Sequence, residues 1–159
     1  MEAVVAVYAD WGIGKDGTQP VVIPEDRKHF AQVTKGAAVI VGRRTLQDFP
    51  GGAPLKGRVN IILTTKTLDI PGAVVVHSVD EALLEAAKHE RCAIIGGASI
   101  YRAFFPYVTR VYLTKLDVCP PSDAYFPNLD SLPDWRCTDP GEAMESGGIG
   151  YRFCTYERL

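Results

Sequence analysis

Cys92-Ala93-Ile94-Ile95-Gly96-Gly97-Ala98-Ser99-Ile100-Tyr101 decides the fold: an apolar run of strand length, two glycines, then a helical pattern reaching Phe105 with Pro106 beyond it. Glycines at such a junction let backbone N–H groups approach a phosphate, because no Cβ intervenes, and the positive end of the following helix faces the same point. A tight turn that merely uses positive φ explains the pair equally well when it is taken alone. What separates the two readings is whether the arrangement recurs.

It recurs one strand earlier. Residues 37–41 form a second buried-strand pattern closed by Gly42, and Arg43-Arg44-Thr45-Leu46-Gln47-Asp48 is a short helix ended by Phe49-Pro50-Gly51-Gly52. This corner adds two guanidinium groups and a hydroxyl, a suitable set for a phosphorylated ribose. A third strand, 58–65, delivers Thr64-Thr65-Lys66, two hydroxyls and an ammonium. Solvated turn charges account for Lys66 but less well for three anion-binding corners on three strand ends. The pattern points to an extended ligand with several phosphates, and the cations favour NADP over NAD.

Further strands are expected at 4–9, 73–77 and 110–116, and Ser78-Val79-Asp80-Glu81 is a capping box that starts a helix running to about Lys88. Asp10-Trp11-Gly12-Ile13-Gly14-Lys15-Asp16-Gly17 ends the first strand and opens a long loop. Pro24 then begins a helix with Glu25 and Asp26 in its first turn, stopped by Lys35-Gly36. The tail is different: a Pro-rich loop from 119 to 127, a strand at 135–138, a turn at Ser146-Gly147-Gly148, and a strand at 151–158 that suits an antiparallel edge hairpin. Strands alternating with short helices predict an α/β fold, a mostly parallel sheet covered on both faces, with ligands beyond the carboxyl ends of the strands.

With 159 residues, 47% hydrophobic and 23% charged, the chain has the makings of one folded domain spanning residues 1–159. A net charge of −2 argues against nucleic acid as a partner. The four cysteines, 92, 119, 137 and 154, form no C-x-x-C pair and read as free thiols in a reducing compartment. The first residues carry no basic leader and no apolar run of membrane length occurs, so a cytoplasmic protein with no membrane partner is expected. Histidines 29, 77 and 89 lack metal-ligand spacing and no serine sits in a nucleophile elbow, so no metal is expected. Asp26 has Phe30 one turn on and follows a long loop. It either compensates the helix dipole as Glu25 does, or faces a cleft where desolvation would raise its pKa.

These segments, in order, resemble dihydrofolate reductase over essentially the whole chain. The resemblance is carried by Gly12-Ile13-Gly14, Pro20, Ile23-Pro24-Glu25-Asp26 with Phe30, Val41-Gly42-Arg43-Arg44-Thr45 and Pro54-Leu55-Lys56-Gly57-Arg58. It continues through Asn60-Ile61-Ile62-Leu63-Thr64-Thr65, Ile94-Ile95-Gly96-Gly97, Tyr101, Tyr112-Leu113-Thr114, Asp123 and Phe126-Pro127. It implies an eight-stranded sheet with four helices and reduction of 7,8-dihydrofolate by NADPH in a monomer. By the same likeness Asp26 binds the pterin N3 and 2-amino group with Thr114 behind it. Val4, Val5, Val21, Phe30, Phe49, Leu55 and Ile95 line the substrate pocket, and Arg58 holds the α-carboxylate of the glutamate tail. Ala6, Ile13 and Gly14 fall beside the nicotinamide. Gly42, Arg43, Arg44, Thr45, Leu63, Thr64, Thr65 and Lys66 surround the adenosine end. Ile95, Gly96, Gly97, Ala98, Ser99, Ile100 and Tyr101 follow the pyrophosphate, and residues 9–23 form a mobile loop over the site.

The sequence departs from the family at Val21, where a tryptophan usually follows the proline and contacts the pterin edge through water. Valine donates no hydrogen bond and fills less volume, which implies a wider or wetter pocket, or one adapted to another ring. Ser122 before Asp123, where glycine is frequent, is a lesser departure. Two rivals remain open: the related NADPH-dependent reductase of riboflavin biosynthesis, acting on a ribosylaminopyrimidine, and a non-catalytic protein that binds NADP or a pteridine. Asp26, Phe30 and Arg58 together favour folate over the pyrimidine.

Overall fold

The computed structural model describes residues 1–159. Along the chain run β1 (Glu2–Val7), β2 (Gly12–Gly14), α1 (Pro24–Thr34), β3 (Ala38–Gly42), α2 (Arg43–Gln47), β4 (Val59–Leu63), β5 (Ala73–Val76), α3 (Val79–Ala86), β6 (Cys92–Gly96) and α4 (Ala98–Phe104). Then follow β7 (Arg110–Leu116), β8 (Ala124–Tyr125), β9 (Trp135–Asp139), β10 (Met144–Ser146) and β11 (Ile149–Arg158). The four helices and the alternation match the expectation. Ser78 caps α3 as the capping box requires, its Oγ accepting from the Glu81 N–H at 3.1 Å.

The main sheet runs β10-β11-β7-β1-β6-β3-β4-β5. The six strands from β7 to β5 pair in parallel, and β11 joins β7 antiparallel. Eight strands lie on this path, and β9 is an addition. β10 pairs with Ile149–Tyr151 of β11 and β9 with Thr155–Arg158, so the two share its outer edge, one at each end. Helices cover the sheet, and the central strands β1, β3 and β6 are buried almost throughout. A strand buried on both faces needs apolar side chains at successive positions rather than alternate ones. Along β1 the side chains alternate between clusters: Ala3, Val5 and Val7 join the largest, with Phe104, Val108 and Phe126, while Val4 joins Val39, Val41, Ile62 and Ile95.

One detail of register opens a cleft at the carboxyl ends of the strands. β1 pairs with β6 only at Glu2↔Ala93 and Ala3↔Ile94, whereas its pairing with β7 continues to Val7↔Lys115. β1 and β6 therefore part beyond Ala3, at the carboxyl ends where ligands of parallel sheets lie. The register of β3 against β6 also slips, between Ile40 and Val41, at the same end.

Residues 10–23 and 119–127, read as loops, contain an antiparallel pair: Gly12 lies opposite Tyr125 and Gly14 opposite Ala124. Strands of three and two residues built on glycine carry no periodic signal, so the sequence could not announce them. Further bonds fasten the pair, from Asp123 N–H to the Gly14 carbonyl at 2.9 Å and from Asp16 N–H to Asp123 Oδ2 at 3.0 Å. The first strand also ends two residues earlier than expected, because Tyr8 enters the turn through its N–H bond to the Gly12 carbonyl. All four cysteines are unpaired, Cys92 and Cys154 buried and Cys119 exposed. No helix is long and apolar enough to cross a membrane.

Candidate active site

Pro24 starts α1 after the extended Ile23, and Asp26 sits in the first turn with its side chain directed to the cleft rather than to solvent. Thr114 of β7, only 2% exposed, donates its hydroxyl to Asp26 Oδ1 at 2.6 Å. Thr114 is in turn the register partner of Ala6 on β1. Burial pushes the Asp26 carboxyl above its ordinary range, while the Thr114 hydrogen bond and the nearby His29 pull it back in part. The adjacent Glu25 shows the opposite behaviour: it is exposed, and a hydrogen bond from Ser146 holds its pKa down. Dipole compensation therefore describes Glu25, and a desolvated carboxylate describes Asp26.

Around Asp26 the structure gathers most of the side chains singled out for the pocket. Val4 and Ile95 are buried in one apolar cluster, against which Phe30, Phe49 and Leu55 pack. Val5 is on β1 too, but its side chain belongs to the cluster on the opposite face, so only its backbone borders this side. Val21 packs beside Ala6 and Tyr8 in a third cluster. Arg58 is held at the far end of α1: Nε donates to Thr34 Oγ1 at 2.9 Å, Nη1 to the Lys56 carbonyl at 2.7 Å and Nη2 to the Ala31 carbonyl at 3.1 Å. A guanidinium has five N–H donors, so each terminal nitrogen keeps one free, the pairing that a carboxylate accepts in bidentate fashion.

The three strand ends expected to receive a phosphorylated ligand stand in a row. Gly42 pairs in register with Leu63, and Val41 with Gly96, so the ends of β4, β3 and β6 are adjacent and span about 10 Å at the usual strand spacing. The Gly96–Gly97 peptide is cis, and a Cβ at Gly97 would lie 2.9 Å from Thr45 Oγ1. Glycine at 97 thus lets the ends of β3 and β6 approach each other. Neither α2 nor α4 has a side chain capping its first turn, in contrast to α3. Arg43, Arg44 and Lys66 make no ion pair or side-chain hydrogen bond within the protein, which leaves their donors for a ligand. The Thr64 carbonyl meets His77 Nδ1 at 2.9 Å, and its hydroxyl accepts from the Lys66 N–H at 3.2 Å. The buried Tyr101 hydroxyl lies 3.6 Å from the place of a Cβ at Gly96 and donates to the Val4 carbonyl at 2.7 Å, across the gap between β1 and β6.

A family model described as dihydrofolate reductase matches residues 1–158. The chain belongs to the dihydrofolate reductase family. It is 34% identical over 158 residues to the dihydrofolate reductase of Bacillus subtilis, covering 98% of this chain and 92% of that protein. It is 37% identical over 164 residues to dihydrofolate reductase HdrB of Haloferax volcanii, covering 98% and 81%. Against the dihydrofolate reductase of Mycobacterium tuberculosis it is 35% identical over 151 residues, covering 92% and 90%. The family is one of oxidoreductases, and the mixed sheet described above has its architecture.

In this member of the dihydrofolate reductase family, the backbone at Val21 is held by Tyr8. The Tyr8 hydroxyl donates to the Val21 carbonyl and accepts from its N–H, both at 3.2 Å. Trp11 is no replacement, since it is buried in the largest core cluster, edge-to-face with Tyr156 at 6.0 Å between ring centroids and with Lys115 Nζ 5.2 Å from its own centroid. Two residues near the site were not legible in the sequence. His29 stacks on Phe153 at 3.9 Å, one turn from Asp26, and the register partner of Phe153 is Thr114. Gln19 donates from Nε2 to the Ala6 carbonyl at 2.9 Å. Both sit in stretches whose local pattern says nothing of what they meet in space.

Proposed function

We propose that the protein reduces 7,8-dihydrofolate to tetrahydrofolate at the expense of NADPH, with the pterin against Asp26 and the cofactor along the carboxyl ends of β1, β6, β3 and β4. The observation that carries this reading is the sheltered Asp26 carboxylate, hydrogen-bonded to Thr114 of β7, the register partner of Ala6 on β1. The names of the relatives add to it.

The residues present suit NADPH. Thr45 and the turn at Gly96 and Gly97 leave backbone open to a pyrophosphate, and the unpaired Arg43, Arg44 and Lys66 supply cations for the adenosine end and its 2′-phosphate. Bound there, the cofactor supplies a hydride for pterin C6. The protein supplies orientation and field. Asp26 accepts hydrogen bonds from the pterin N3 and 2-amino group, and its negative charge beside the ring favours protonation at N5, the proton coming from water. A charge in a low-dielectric pocket stabilises a developing cation more strongly than one in bulk water. Thr114 fixes the carboxylate by donating to Oδ1, and the apolar wall of Val4, Phe30, Phe49, Leu55 and Ile95 holds the ring and excludes water. Arg58 receives the α-carboxylate of the glutamate tail.

The direct test is loss of reduced-nicotinamide absorbance when dihydrofolate is added to protein and NADPH, with the ribosylaminopyrimidine of riboflavin biosynthesis as control. Oxidation with the pyrimidine alone, or NADPH binding without any oxidation, refutes the assignment. For the cofactor side, Arg44→Ala is expected to raise the dissociation constant of NADPH about tenfold, the worth of one charge-assisted hydrogen bond, and to leave NADH nearly unchanged. Equal losses for both cofactors would count against a 2′-phosphate contact at Arg44.

A further inference from the structure

The carbonyls of Val4 and Ala6 point the same way along β1, toward the space that β6 leaves when it parts from β1 beyond Ala3. Backbone acceptors that lose a strand partner in a partly buried cleft need another donor. Val4 obtains one from the Tyr101 hydroxyl at 2.7 Å, a fixed contact from within the core. Ala6 obtains one from a different kind of group, the primary amide of Gln19, at 2.9 Å, and Gln19 belongs to the long loop between β2 and α1. The Gln19 side chain also runs past Gly14, whose position for a Cβ lies 3.7 Å from Gln19 Cγ. Ala6 and Gly14 are the two small residues assigned above to the nicotinamide, and the nicotinamide ring itself carries one primary amide.

From this coincidence we infer that Gln19 is a resident stand-in for the nicotinamide: its carboxamide satisfies the Ala6 carbonyl and must leave that acceptor when the cofactor's carboxamide arrives. The inference rests on the proposed cofactor placement. Its chemistry is an exchange of one amide N–H donor for another at a single backbone oxygen, with no covalent change. Gln19 thereby sets how tightly the nicotinamide half is held, and does so without any effect on the adenosine half, which binds at the ends of β3 and β4.

Calorimetric titration of the full chain with two ligands tests this: NADPH, and adenosine 2′,5′-bisphosphate, which has the adenosine end but no nicotinamide. Gln19→Leu removes the amide, and Gln19→Asn keeps an amide too short to reach Ala6. Both variants are expected to bind NADPH about two- to tenfold more tightly than the parent protein, the range of one neutral hydrogen bond, and to bind the bisphosphate unchanged. NADPH affinity that is unaltered or weakened in both variants overturns the inference, as does a parallel change for the bisphosphate. If the parent protein binds the bisphosphate and NADPH but the variants do not differ from it, only the role of Gln19 falls. If it binds neither, the cofactor placement fails and this inference with it.

Discussion

Asp26→Asn is expected to lower kcat/KM for dihydrofolate at neutral pH by about 10²-fold or more, the usual worth of a group acting on proton transfer, while NADPH affinity stays within about twofold. The substitution is nearly isosteric, and the amide oxygen can still accept the Thr114 hydroxyl that now lies 2.6 Å from Oδ1. What is lost is the charge alone. Because burial raises the Asp26 pKa, the wild-type advantage is largest above that pKa, where the carboxylate is ionised, and narrows as pH falls through it. The same shift makes a stability prediction of opposite sense. A carboxyl with a folded-state pKa above its unfolded value binds more protons when folded, so its contribution to stability declines as pH rises from the ordinary carboxylate range through the raised value. Asparagine has no such decline. The Tm of Asp26→Asn relative to wild type is therefore expected to be higher at mildly alkaline pH than at acidic pH. Rates equal to wild type across the pH range, or a Tm difference that shrinks with rising pH, would each contradict the assigned environment.

That environment illustrates what a linear reading can and cannot reach. That Gly96-Gly97, Gly42 with its two arginines, and Thr64-Thr65-Lys66 lie side by side was legible because each follows a short apolar strand, and strands that alternate with helices bring their carboxyl ends to one side of a sheet. Asp26 alone was ambiguous. Glu25 and Asp26 are neighbours of the same chemistry in the same helical turn, and only the distance to Thr114, 88 residues away, separates a buried carboxylate from an exposed one. Contacts of that range leave no local pattern. The β2–β8 pair was missed for a related reason, since its glycine-bearing strands are too short for periodicity. Val5 exposes the limit of reasoning from a resemblance. Neighbours on a strand point to opposite faces, and Val4 takes the side chain position in the pocket cluster that Val5 cannot share.

The decisive test of the substrate side is Arg58→Leu, for which the KM for dihydrofolate is expected to rise about 10- to 100-fold with kcat little changed, as follows from losing a bidentate, charge-assisted contact distant from the reacting atoms. The guanidinium is already held by Thr34, Lys56 and Ala31, so its two remaining donors are set in place before any ligand arrives and little ordering cost attends binding. Losing those three bonds also weakens the end of α1, and a general loosening of the pocket could mimic a lost contact. Dihydropteroate, the substrate without its glutamate, separates the two causes. If Arg58 grips the tail carboxylate, wild type and variant handle dihydropteroate alike, and Arg58→Lys, which keeps the charge but not the planar fork, recovers only part of the affinity for dihydrofolate. A variant that loses as much with dihydropteroate as with dihydrofolate would mean that Arg58 serves the helix, and that the tail carboxylate is held elsewhere.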